Sequence, residues 1–160
     1  MNEKVIEKLK ARFSDSIESI NEYRRELTIV VTKDSIVEVC RFLRIDDELD
    51  FNSLRDLHGA DYYRPDDRFE VVYNLYSLKN KFRLRLKVRV NESALHVPSV
   101  TTVWLAANWL ERETYDMFGI FFDGHPDLRR MYMPEEFEYH PLRKDFPLMG
   151  IPGSLTLPGK

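Results

Sequence analysis

Cysteine is almost absent from this chain: Cys40 is the only one in 160 residues. One thiol cannot build an intrachain disulfide framework or a four-cysteine zinc site. Glycine is scarce as well, with Gly59 alone before residue 119. No Gly-x-Gly-x-x-Gly, Walker loop or nucleophile elbow occurs, so no nucleotide site is expected. No apolar run approaches the ~18 residues of a membrane span. The segment from Met1 to Arg12 lacks the order of a signal peptide. A net charge of −3 argues against a general binder of nucleic acid or anionic membranes. What remains is a chain 43% hydrophobic, 12% aromatic and 32% charged, which is too apolar for disorder and sized for one core. A reduced, cytosolic, soluble protein is expected.

Periodicity orders the first 118 residues. Val5, Ile6, Leu9 and Phe13 recur at helical spacing. A β-branched run, Leu27 to Val31, predicts a strand. In the next helix Ser35 and Glu38 have the spacing of a capping box, and Ile36, Val39, Cys40 and Leu43 form the inner stripe. Cys40 therefore reads as a packing thiol. Strands follow at Leu54 to Tyr63, Phe69 to Leu78 and Phe82 to Val90, the last two joined at Lys79-Asn80-Lys81. A third helix is predicted from the N-cap Ser99 to Phe118, with Gly119 as its C-cap. The order α-β-α-β-β-β-α implies a two-layer α+β domain over 1–118, with the helices on one face of the sheet.

Residues 119–160 are different. They hold six of the eight prolines and five of the six glycines, spaced so that no helix or central strand can pass through. They also carry Phe121, Phe122, Tyr132, Phe137, Tyr139, Phe146 and Met149, which a disordered linker would lack. The expectation is an extended tail without regular structure, mobile in the free chain and ordered on another protein's surface.

Candidate chemistry is sparse. Glu111 and Glu113 sit two apart on the third helix and point away from each other, whereas Arg112 and Asp116 are four apart and are expected to pair. A structural or interfacial ion-pair network fits them better than acid–base catalysis. His125 and His140, near Asp123 and Glu138, match no compact metal motif, and each precedes a proline as in turns. The alternating strand from Lys81 to Arg89 presents Arg83, Arg85, Lys87 and Arg89 on one face. That face suits solvent, an acidic partner or, as a rival reading, nucleic acid. It lacks the interleaved aromatics of RNA-binding sheets.

Two blocks resemble a known family. Glu111-Arg112-Glu113, Asp116, Met117-Phe118, His125, Arg129 and Met131-Tyr132 fall at its first signature, and His140-Pro141-Leu142-Arg143-Lys144-Asp145-Phe146-Pro147-Leu148-Met149-Gly150 forms its second. Val97-Pro98-Ser99-Val100 and Ala106-Ala107-Asn108-Trp109-Leu110 also look like it. From about residue 25 to 153 the chain is similar to the C-type subunits of proton-pumping NADH:quinone oxidoreductase, respiratory complex I, whose mitochondrial counterpart is the 30-kDa subunit. The resemblance implies a peripheral-arm subunit without cofactor, catalytic residue or metal of its own. FMN, iron–sulfur clusters and the proton path would belong to neighbouring subunits. It implies docking on the D-type homologue that helps form the quinone site, at the cytoplasmic face of a bacterial inner membrane. The expected partner-binding residues are Glu111, Arg112, Glu113, Asp116, His125, Arg129, His140, Arg143, Lys144, Asp145 and Phe146. Similar subunits serve membrane-bound hydrogenases and deazaflavin-dependent dehydrogenases, which remain the alternatives. Some family members continue beyond the second block, so a free-standing subunit is expected here.

Overall fold

The computed structural model describes residues 1–151, and the part of the expected tail from 152 to 160, with Pro152 and Pro158, lies outside the described residues. The chain runs α1 (Asn2–Phe13), β1 (Ile17–Tyr23), β2 (Glu26–Val31), α2 (Ile36–Ile45), β3 (Ser53–Asp61), β4 (Phe69–Ser77), β5 (Phe82–Val90), β6 (His96–Pro98), α3 (Ala107–Phe118) and β7 (Phe121–Asp123). Five strands form one sheet in the order β1-β2-β5-β4-β3, antiparallel except for the parallel pair β2–β5. The helix α2 lies in the crossover between β2 and the rest of the sheet, which a parallel pairing requires.

Alternation sets the layers. Leu27, Ile29 and Val31 of β2 are opposite Leu84, Leu86 and Val88 of β5, which are opposite Leu75, Tyr73 and Val71 of β4. All nine are buried and join Val5 and Leu9 of α1 and Ile36, Val39, Cys40 and Leu43 of α2 in a single core. The other sheet face carries Glu70, Asn74, Arg85, Lys87 and Arg89. The architecture is the two-layer α+β arrangement expected, and Cys40 packs in its interior with burial pushing the thiol's pKa up.

Four local features differ from the sequence expectation. The strand β1 has only Ile17 and Ile20 as apolar anchors, and the register shifts between Ile17 and Ser19, so its alternation is broken. Its hairpin turn is Arg24-Arg25, both at positive φ (51° and 67°), where Asn-Gly would have given the signal. Ser35 closes no capping box: its Oγ bonds the Thr32 carbonyl, and Glu38 pairs with Arg41. The third helix begins at Ala107 rather than Ser99. Val100, Thr101 and Val103 are β-branched, and the Ser99 hydroxyl is held by Thr101 and Glu111, so 99–106 folds as turns. Among the described residues the tail contains one short regular piece, β7, which pairs in parallel with β6.

Candidate partner-docking site

The helix α3 places Glu111, Arg112 and Asp116 on its buried side, while Glu113 is half-buried. Glu111 is fully buried and has no cationic partner among the described residues. One of its oxygens accepts from the Val100 N–H (2.8 Å), the other from the Ser99 hydroxyl (2.7 Å). Burial outweighs those two donors and pushes its pKa up to about 7. Glu111 thus ties the 99–106 turns to the helix.

The expected pairing of Arg112 with Asp116 does not form. Arg112 donates to the carbonyls of Arg129 (3.1 Å) and Arg130 (3.3 Å) and lies over the Trp109 ring. Asp116 instead takes Arg130, whose Nη1 is 2.7 Å from Oδ1. Its Oδ2 accepts from the successive N–H groups of Met131 (2.9 Å), Tyr132 (2.7 Å) and Met133 (3.0 Å). Burial alone would raise the carboxyl's pKa, but these four donors outweigh it and hold Asp116 below the ordinary range. The i,i+4 rule fails here because the tail supplies better partners for both side chains.

The second block closes the end of that helix. An α-helix leaves its last four carbonyls without intrahelical partners. Here the Tyr115 carbonyl accepts from Gly119 N–H (2.8 Å), Asp116 from His140 Nδ1 (3.0 Å), Met117 from Leu142 N–H (3.1 Å) and Phe118 from Arg143 Nε (2.6 Å). The Arg143 cation also sits at the negative end of the helix dipole. Gly119 is required twice: its φ is +75°, and a Cβ there would lie 2.5 Å from both Arg143 and His140. Burial, with Arg143 and Arg130 nearby, holds the His140 imidazole's pKa below its ordinary value, so the neutral ring donates from Nδ1.

Beyond the cap the segment is tied to the sheet. Lys144 donates its backbone N–H to Asp61 (2.8 Å), and Asp145 pairs with Arg68 (3.0 Å), which also holds Asp61 through two bonds. Burial opposes ionisation of Asp61, but Arg68 and the backbone donors prevail and bring its pKa down to about 2. His125 accepts at Nδ1 from Asp127 N–H, so its proton is on Nε2, facing the Asn108 carbonyl at 3.0 Å. Arg129 is exposed and pairs with Asp127. Phe146 packs with Phe137 and Tyr139, ring centroids 6.4 Å apart in each pair.

The expected division at Phe118 therefore meets no seam in these contacts. Of the tail's aromatics, Phe122 and Phe137 are buried within this chain and need no cover from a partner. Phe121, Tyr132 and Tyr139 are exposed, as are Leu105, Trp109, Leu142, Leu148 and Met149. Leu105 lies in the turns before α3 and Trp109 in its first turn, and neither is among the expected partner-binding residues. On the helix-free sheet face Arg85, Lys87 and Arg89 are matched by Glu26, Glu70 and Glu18, leaving little charge for a phosphate backbone. Among the described residues no group of three potential metal ligands converges.

The fold and site define an α+β domain whose third helix is locked by the chain's own C-terminal segment. Residues 29–152 match the family model described as respiratory-chain NADH dehydrogenase, 30 Kd subunit. The C-type subunit of the NADH-quinone oxidoreductase of Geotalea uraniireducens is 48% identical over 149 residues, covering 93% of this chain and 90% of that protein. Its counterpart in Roseiflexus sp. is 52% identical over 147 residues, covering 92% and 84%. A solved trypsin-resistant fragment of Nqo5 superposes with a TM-score of 0.68 at 36% identity, covering 80% of this chain and all of the fragment. A chain of the membrane-bound sulfane sulfur reductase, an archaeal respiratory membrane complex, gives 0.72 at 25% identity, covering 92% and 86%. The chain belongs to the family of the 30-kDa subunit of respiratory-chain NADH dehydrogenase. No helix among the described residues is long and apolar enough to cross a membrane.

Proposed function

We propose that this chain is a non-catalytic peripheral-arm subunit of a proton-translocating NADH:quinone oxidoreductase. It docks on the D-type homologue of the quinone site, at the cytoplasmic face of a bacterial inner membrane. The observation that carries the reading is the apolar surface on a segment already fixed by its own hydrogen bonds. Leu148 and Met149 are fully exposed directly after the cap, and exposed apolar clusters of this kind mark interaction sites. The signature side chains Asp116, His140 and Arg143 act inside the chain, shaping that surface rather than contacting the partner themselves. Of the expected partner-binding residues, Glu113, Arg129, Lys144 and Phe146 have side chains left to reach outward, beside the exposed Leu148 and Met149 of the second block.

The chemistry of the ionisable groups supports a subunit without cofactor. Cys40 is sealed in the core, and His125 and His140 spend ring nitrogens on backbone groups. FMN and iron–sulfur clusters then reside in neighbouring subunits. The quinone-linked branch is favoured over hydrogenase or deazaflavin-dependent assemblies because the relatives at 46–52% identity carry the NADH-quinone oxidoreductase name. The likeness to the sulfane sulfur reductase chain shows that the same fold serves a different respiratory complex.

Leu148→Glu/Met149→Glu tests the reading, since neither side chain is needed for the fold. Native gel analysis of solubilised membranes should show the variant protein stable but missing from the assembled complex. Normal incorporation would contradict the proposal.

A further inference from the structure

The basic residues of β5 on the helix-free face fall into two groups. Arg85, Lys87 and Arg89 each face a carboxylate of this chain, Glu26 at 3.0 Å, Glu70 at 2.8 Å and Glu18 at 3.6 Å. Arg83 is exposed, and its side chain makes no hydrogen bond or ion pair among the described residues. Its neighbour across the ladder is Tyr76 of β4. Over the Tyr76 ring, 5.8 Å from its centroid, lies the guanidinium of Arg55 from β3. Arg55 also has no carboxylate partner among the described residues.

Arg55 is the extra residue of a β-bulge: Leu54 is opposite Leu75 and Asp56 opposite Asn74, so nothing faces the residue between them. Bulges re-aim a side chain and recur beside functional sites. Here the bulge brings Arg55 to the same cleft as Arg83. The cleft has a volume of about 340 Å³ and is bordered by Glu26, Arg55, Asn74, Arg83 and Arg85. Glu26 is already engaged by Arg85, so two guanidinium groups face an open concavity uncompensated, on a chain whose net charge is −3.

We infer that this cleft binds an acidic stretch of polypeptide, with Asp or Glu carboxylates seated between Arg55 and Arg83. The arginine fork matches a carboxylate with two parallel hydrogen bonds. Arg25 and Lys81 border the adjoining concavity beside Arg83, but the rest of β5 is neutralised, so the basic track is short for an extended phosphate backbone. The cleft lies at the end of β3 remote from Asp61, where the C-terminal segment is tied down. It is thus separate from the apolar docking surface, and either reading can fail without the other.

Fluorescence anisotropy of a labelled hexaglutamate peptide against the full-length chain tests the site. Arg55→Ala/Arg83→Ala should weaken binding at least about fivefold. Glu26→Gln frees Arg85 and should tighten it. In the native complex, an Arg83→Lys variant treated with carbodiimide should cross-link its introduced amine to an Asp or Glu of another subunit. Unchanged peptide affinity in the double variant would overturn the inference. So would tighter binding of an oligothymidylate of equal charge, or cross-links confined to this chain.

Discussion

Arg143 donates from Nε to the carbonyl of Phe118 at 2.6 Å, joining the second signature block to the last residue of the helix that carries the first. The two blocks are one structural unit: the later segment supplies the C-terminal cap that the earlier helix lacks. Residues on both sides of Gly119 therefore depend on each other for satisfied polar groups.

Asp116→Ala should destabilise the protein strongly. It removes the acceptor of three backbone N–H groups and leaves the largely buried Arg130 without its carboxylate. Breaking a buried pair from one side costs about 3–5 kcal/mol. Urea denaturation should show this as a lower midpoint, with the slope unchanged if the native state stays intact.

Gly119→Ala should be disruptive out of proportion to one methyl group. The left-handed backbone costs a non-glycine residue roughly 1–2 kcal/mol, and the Cβ displaces His140 and Arg143, which are held in the cap. Thermal unfolding should report the loss, and protease digestion should show earlier cleavage near Arg143 and Lys144. A variant as stable and resistant as the wild type would contradict this account of the cap.

Glu111 and the pair Asp61 and Asp116 give stability opposite dependences on pH. Asp61 and Asp116 titrate below their ordinary values, so their contribution is present above about pH 4 and is lost as pH falls toward the folded values. Glu111 titrates higher when folded, near 7 against an ordinary 4.5, so the folded state holds the extra proton between those values. Its contribution is fully present below pH 4.5 and falls as pH rises through 7. Glu111→Gln retains an acceptor for Val100 and should flatten that fall, leaving the variant more stable than wild type at pH 8 by up to about 3 kcal/mol. Denaturation midpoints at pH 5 and 8 decide it.

Arg25→Gly should stabilise the β1–β2 hairpin. Its φ of +67° suits glycine, and the two-residue turn with both φ positive is the type that prefers Asn-Gly. A gain of about 1 kcal/mol is expected in chemical denaturation.

The interior half of the fold was legible in the sequence because alternation and helical stripes record burial. Phe82 to Val90 and the Cys40 stripe are found where the pattern puts them. β1 was not legible, since an edge strand with a bulge and an Arg-Arg turn carries neither alternation nor turn chemistry. The start of α3 was misplaced because Ser99 has the identity of an N-cap but bonds the Glu111 carboxylate. The pairing of Asp116 was out of reach for a different reason. A local rule links it to Arg112, whereas its partners lie 14 to 17 residues away in a segment whose prolines read as extended. The sequence pattern marked both blocks as important but could not show that one caps the other.

Hydrogen exchange on the full chain, free and in the assembled complex, tests the central claim most directly. The account predicts that the amides of Met131, Tyr132, Met133 and Leu142 are already protected in the free chain, because Asp116 and the Met117 carbonyl hold them. It predicts that Leu148 and Met149 gain protection only on assembly. Unprotected exchange at Met131–Met133 and Leu142 in the free chain, or no change at Leu148 and Met149 in the complex, would contradict it.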